Sequence, residues 1–346
     1  VSEPILLPDL VICDPHHHLW ADPRPHDPRP YLPADLRADI ASGHRVEQSV
    51  FVECKEAYRT DGPEAFRVVG ETEFVVAADP EGLVAGIVGC ADLRLPDISE
   101  ILDAHVDAGA GRFRGVRQIA SWHPDPALVS GRGSPPHLLA DPAFRSGAAA
   151  VERAGLVFDA SCYHTQIPEV ADLASACPEL RIVLEHLGSP LGIGPYAGRR
   201  AEVLREWREM MGTLVPCPNV AVKIGGIGMR TFGETWWSDP EKPGSVEVAA
   251  RWGEEIRWCI ETFGVDRCMF ESNFPIDKLA FGYDVVWNAF KRTVIDGSPD
   301  ELDALFRRTA VTVYGLDPVT RAAPAEPRST GRGRHVTATV GEGREG

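Results

Sequence analysis

Eight short apolar runs punctuate the chain, at residues 10–14, 48–54, 84–91, 114–119, 156–160, 181–185, 219–224 and 267–271. They are nearly continuous in hydrophobic residues, the pattern of strands buried on both faces. Between them lie stretches with helical start and stop signals. Asp61-Gly62-Pro63-Glu64 opens one through Phe66, Val69 and Phe74, and Asp141-Pro142 opens another that Gly155 ends. Ser298-Pro299-Asp300-Glu301 combines an N-cap serine, a proline at N1 and a glutamate at N3, and its helix should run to Tyr314-Gly315. Alternating strands and helices of these lengths predict βα units. Eight of them predict a single α/β domain, a (β/α)8 TIM barrel over residues 1–317. A doubly wound sheet would need a glycine-rich phosphate loop after an early strand, and none follows the first two runs. Gly225-Gly226-Ile227-Gly228 follows the seventh run and lacks the lysine of a phosphate loop, which argues against nucleotide binding.

Three long segments, 21–33, 122–136 and 231–244, follow runs one, four and seven. They fall on the C-terminal face, where barrel enzymes place their active sites. Residues 318–346 are rich in Arg, Ala, Pro, Gly and Thr without apolar periodicity, and a mobile low-complexity tail is expected there. With 51 acidic and 35 basic side chains the formal net charge is −16. That field disfavours nucleic acid and anionic membranes as partners but leaves room for a local basic pocket. No run approaches the roughly 20 apolar residues of a membrane span, and no signal peptide is visible, so a cytoplasmic protein is expected. The eight cysteines, at 13, 54, 90, 162, 177, 217, 259 and 268, form no CxxC pair and read as reduced core residues. A homo-oligomer is left open, since no heptad or exposed apolar stripe marks an interface.

The first run leads into Asp14-Pro15-His16-His17-His18. Strand residues i and i+2 share a face, so His16 and His18 should project together and His17 the other way. Imidazoles so paired suit a metal ion, or bind and polarise a carbonyl. The other runs also end in polar groups: Glu53, Arg117, Gln118, Tyr163, His164, Gln166, Glu185, His186, Lys223, Glu271, Asn273 and Asp277. Each has a plain structural explanation. Arg117 and Lys223 read as satisfied ion pairs, Tyr163 as a core cap, His164 as a solvent-facing loop residue. Together, though, seven strand ends converge on one cation-rich polar funnel, which suits a small anionic substrate.

With His-x-His after strand one, a histidine ending strand six and Glu271-Ser272-Asn273-Phe274-Pro275-Ile276-Asp277 after strand eight, the chain resembles the amidohydrolase superfamily. It is most similar to the branch of the sugar lactonases and the 2-pyrone-4,6-dicarboxylate lactonase. Asp14 to Trp20, Glu185-His186-Leu187-Gly188, Val222 to Gly226 and the closing stretch from Phe306 to Leu316 carry the likeness, which spans about residues 9–317. The resemblance implies a barrel that opens a lactone or related cyclic ester of a small carboxylated molecule. His16, His18 and His186 would bind and polarise the carbonyl, and would ligate one divalent ion, zinc or manganese, in members that use a metal; some members use none. Arg117 and Lys223 would hold the substrate's carboxylate, with Tyr163, Gln166 and Asn273 beside it.

The family's water-activating aspartate does not carry over. Where the family has Ser-Asp-Trp-Pro, this chain reads Ser272-Asn273-Phe274-Pro275. An amide has no useful basicity, so Asp277 or Glu53 is the expected general base, with Glu271 one layer deeper on the face of Asn273. Two alternatives stay open. One is a metal-dependent decarboxylase of an aromatic or unsaturated acid; the other is a non-catalytic ligand-binding barrel that lost its base at Asn273.

Overall fold

The computed structural model describes residues 3–24, 27, 29–128 and 133–317, so the expected tail lies outside the described residues. Eight parallel strands pair in chain order: β1 (Val11–His17), β2 (Arg45–Val52), β3 (Val84–Cys90), β4 (Phe113–Ile119), β5 (Val157–Ser161), β6 (Arg181–Leu184), β7 (Val220–Ile224) and β8 (Cys268–Phe270). Helices alternate with them: α1 (Pro33–Ile40), α2 (Val69–Ala78), α3 (Ile98–Ala108), α4 (Pro142–Arg153), α5 (Ile167–Ala176), α6 (Arg200–Gly212), α7 (Ser245–Phe263) and α8 (Tyr283–Thr293). The chain then runs through α9 (Pro299–Asp303), a π-turn (Ala304–Arg308) and α10 (Thr309–Tyr314). This is the expected (β/α)8 barrel, and every apolar run in the sequence contains or overlaps one strand.

Local chemistry accounts for the boundaries. Asp141 caps α4 by accepting from the Ala143 and Phe144 N–H groups at 2.7 and 3.4 Å. Ser298 and Glu301 exchange hydrogen bonds as a capping box at the start of α9. Gly315, at φ +58°, ends α10 in the left-handed conformation. Two expectations shift. The stretch opened at Asp61 divides into a 3-10 turn (Glu64–Phe66) and α2, and the helix from Ser298 is broken by its π-turn. Six of the eight cysteines are buried, and Cys54 and Cys90 are half-buried. No helix among the described residues is long and apolar enough to cross a membrane.

The barrel closes differently at its seam. β1 meets the segment just past β8 by a parallel bridge between His17 and Phe274. The Asn273 N–H donates to His16 O at 2.9 Å and the His18 N–H to Phe274 O at 2.7 Å. Below them a buried side chain takes the place of a ladder. Asp14 accepts from the Ser272 N–H at 3.0 Å, from the Ser272 hydroxyl at 2.5 Å and from the Tyr283 hydroxyl at 3.0 Å. β1 thus runs further than its apolar pattern, carrying the histidines to the seam.

Inside the barrel, Cys13, Val50, Val52, Val88, Val157, Val183, Ala221 and Met269 form one buried apolar cluster with Ala310, Tyr314 and Leu316 from the α10 region. The larger cluster, around Trp20, Trp207, Trp252 and Trp287, includes the residues packed between strands and helices.

Candidate active site

A cavity of about 520 Å³ opens at the strand C-termini. Its wall includes His18, His186, Arg117, Tyr163 and Asn273 from the residues singled out in the sequence, together with Trp20, Arg24, Lys55, Ser161, Ser189, Met229 and Thr231. His16 is fully buried beside them.

The alternation expected of β1 is realised. His16 Nε2 and His18 Nε2 stand 3.3 Å apart, while His17 is buried beside the ring of Phe51. His18 Nδ1 is 2.7 Å from Val52 O. A carbonyl only accepts, so this nitrogen carries the proton, and in the neutral ring His18 Nε2 is the acceptor nitrogen. His186 is placed by an unusual backbone: it lies at φ +54°, followed by Leu187 at +53° and Ser189 at +46°. Its Nδ1 donates to Glu271 Oε1 at 2.7 Å, and its main-chain N–H reaches the same oxygen at 3.1 Å. Nε2 is therefore the acceptor nitrogen of His186.

The glycine run after β7 makes room for this pair. A Cβ on Gly226 would lie 2.5 Å from His186 Nδ1, and one on Gly225 would lie 2.3 Å from Glu271 Cγ. The Gly228 N–H donates to Asp277 Oδ2 at 2.9 Å. A motif that reads as a failed phosphate loop is a close-approach surface for the histidine–carboxylate pair.

Below lies a layer of buried charge. Arg117 Nε donates to Glu53 Oε1 at 2.9 Å and its Nη1 to Glu185 Oε2 at 3.1 Å, and its Nη2 bonds the Glu53 carbonyl. Lys223 Nζ donates to Asp159 Oδ2 at 2.6 Å and lies 3.4 Å from His16 Nδ1. The Tyr314 hydroxyl donates to Asp159 at 2.8 Å. Burial and the neighbouring Lys223 charge hold His16 well below the usual histidine range, so it is neutral. Burial opposes the charge on His186 too, but the carboxylates of Glu271, Glu185 and Asp277, Glu271 foremost, together outweigh it and raise the imidazole above its ordinary value. Burial would raise Glu185, yet Arg117, His186 and Lys223 hold it low.

Besides His16, four expected site residues sit elsewhere than in this wall. Lys223 is fully buried on Asp159 under the cavity, so it is not placed to hold a substrate carboxylate; its structural reading describes it. Gln166 spends its amide on the Trp122 N–H, the Tyr163 N–H and the Ala120 carbonyl. Asp277 is fully buried, its Oδ1 accepting from Asn273 Nδ2 at 2.9 Å and its Oδ2 from Gly228. Burial pushes it up to about 7. Glu53 holds Arg117 and borders a smaller neighbouring cavity of about 190 Å³. His164, expected in solvent, is buried, with Nδ1 accepting from the Leu191 N–H at 3.4 Å. Glu271 and Glu185 prove central. Their signal in the sequence was a carboxylate adjoining a strand-end histidine or its partner strand.

The residues fit a divalent cation. Two imidazole ligands of a tetrahedral ion, each about 2.0–2.1 Å from it, stand about 3.4 Å apart, close to the observed 3.3 Å between His16 and His18 Nε2. Glu271 Oε2 is buried without a hydrogen bond, 2.8 Å from His16 Nδ1. Donor atoms of His16, His186 and Glu271 all lie within 4.8 Å of one another.

Comparison with known proteins places this architecture. The amidohydrolase family model (Amidohydro_2) matches residues 13–316. The protein y4mH of Sinorhizobium fredii is 34% identical over 325 residues, 88% of this chain and 99% of that one. An L-fucono-1,5-lactonase of Burkholderia ambifaria is 27% identical over 244 residues, 69% of this chain and 73% of the lactonase. Among solved structures, an amidohydrolase of Burkholderia multivorans with bound zinc superposes with a TM-score of 0.70 at 23% identity, covering 89% of this chain and 100% of its own. Family match, barrel and histidine cluster agree: the chain belongs to the amidohydrolase family.

Proposed function

We propose that this protein hydrolyses a lactone or related cyclic ester of a small carboxylated molecule. One observation carries the reading: at the cavity wall His186 is held by Glu271 at 2.7 Å through Nδ1, which leaves Nε2 as a proton acceptor. A carboxylate-backed imidazole is an arrangement suited to general-base attack of water. His186 Nε2 takes the proton of a water as its oxygen adds to the ring carbonyl, and Glu271 stabilises the imidazolium. The same nitrogen returns the proton to the ring oxygen as the C–O bond breaks, leaving the open hydroxy acid. This assigns to His186 the step expected of Asp277, whose two oxygens hold Asn273 and Gly228, or of Glu53, whose Oε1 holds Arg117.

Through their Nε2 atoms His16 and His18 would hold a divalent ion, which supplies Lewis-acid polarisation of a carbonyl when bound. His18 and Asn273 border the space where that carbonyl lies. The similarity to L-fucono-1,5-lactonases supports a lactone as the substrate class. The test is acid release from L-fucono-1,5-lactone and a panel of carboxylated lactones, with metal content measured and the assay repeated after chelation. Saturable ring opening is expected. Release of CO₂ from an aromatic or unsaturated acid without hydrolysis would establish the decarboxylase instead, and ligand binding without any turnover the non-catalytic barrel.

A further inference from the structure

The cations expected to hold the substrate's carboxylate are already matched by carboxylates of the protein. Lys223 is on Asp159, Arg117 is on Glu53 and Glu185, and Arg24, also in the cavity wall, is on Glu56. One cation in that wall is different. Lys55 is exposed and makes no ion pair with the described residues. The acidic residues nearest it in sequence do not neutralise it: Glu53 holds Arg117, and Glu56 holds Arg24 and the Ala21 N–H at 3.0 Å.

Lys55 is also held in place. Its φ is +64°, a conformation that residues with side chains rarely adopt. The buried carboxylate of Glu71, in the first turn of α2, fixes it there: Oε1 accepts from the Cys54 N–H at 2.7 Å and from the Glu56 N–H at 2.8 Å, one on each side of Lys55. α2 comes close enough because its second residue is Gly70, where a Cβ would lie 2.4 Å from the Ala57 carbonyl oxygen. Such backbone persists only where the surroundings over-determine it, and it clusters at ligand clamps. Across the cavity the wall carries hydroxyls, those of Ser121, Ser161, Ser189 and Thr231. The cavity therefore has a cationic lip after β2 and a hydroxyl-bearing opposite side.

Building on the lactonase reading, we infer that Lys55 is the specificity residue that binds an exocyclic carboxylate of the substrate, which makes the substrate a lactone of a polyhydroxylated dicarboxylic acid. Lys55 donates a charge-assisted hydrogen bond from a rigid loop, its ionic partner absent among the described residues and supplied by the ligand.

The test compares a hexaro-1,5-lactone, which bears an exocyclic carboxylate, with the aldono-1,5-lactone that bears CH₂OH there. Wild type should prefer the carboxylated lactone in kcat/KM. Lys55→Met should shrink that preference about 10- to 100-fold, mainly through KM, and Lys55→Arg should restore it to within a few-fold. A preference unchanged by Lys55→Met overturns the inference and leaves the hydrolase standing. If neither lactone turns over, calorimetric titration with the open hexarate decides. Binding weakened at least 10-fold by Lys55→Met upholds the carboxylate site while the hydrolase reading falls, and no binding by wild type overturns the site.

Discussion

The two ends of the barrel interior are built on opposite principles. The lower end, under α10, is an apolar plug of small and branched side chains around Met269. The upper end packs Arg117, Lys223, Asp159, Glu185, Glu271 and His16 into a space equally shut from water. Apolar packing needs no partner and tolerates any neighbour of the right volume. Buried charge costs several kcal/mol per ion unless each is matched in sign and geometry. The upper layer is therefore less a source of stability than a means of fixing His16 and His186 in defined protonation states, one neutral and one raised. Tyr314 joins the two, packing in the plug while its hydroxyl bonds Asp159.

That contrast can be broken from either end. The largest effect falls on activity. His186→Asn should lower kcat for lactone opening about 10²–10⁴-fold with an unchanged far-UV spectrum, because it removes the proton acceptor while leaving an amide that can donate to Glu271. Next comes the charged layer. Lys223→Met strands Asp159 and should cost about 3–5 kcal/mol in urea denaturation, and adding Asp159→Asn should recover much of the loss. In the plug, Met269→Ala should cost about 2–5 kcal/mol while leaving KM within a few-fold, since no charged partner is disturbed.

The smallest effect is at the seam. Burial pushes Asp14 up to about 6, against the hydrogen bonds from Ser272 and Tyr283. An unfolded aspartate titrates near 4. Between pH 4 and 6 the folded chain thus holds the extra proton, and this group's contribution to stability falls as pH rises, by on the order of 2–3 kcal/mol, then stays level. Asp14→Asn should flatten that fall, read as the difference between wild-type and variant stability at pH 4.5 and 7.5.

The barrel was legible because its strands are buried on both faces and so read as apolar runs, whatever their partners. His16 and His18 were legible because strand period two is local. The roles of the charged residues were not. Arg117 and Lys223 look alike in sequence, yet one reaches the cavity wall and the other is sealed on Asp159, two strands away. Asp277 looked like a base because its chemistry suits one; the fold turns it onto Asn273 and Gly228. Lys55 passed unassigned because its importance depends on what does not pair with it, and pairing is set by long-range packing.

The most direct test is the pH dependence of kcat/KM for lactone opening between pH 5 and 9, in wild type, Glu271→Gln and Asp277→Asn. The account predicts a rate that rises with pH as His186 loses its proton, with a midpoint above that of an ordinary histidine. Glu271→Gln should move that midpoint down furthest, because the carboxylate that raises it most is gone, and Asp277→Asn should move it down by less while leaving the limb in place. A limb that ignores Glu271→Gln and vanishes in Asp277→Asn would make Asp277 the base and contradict the account.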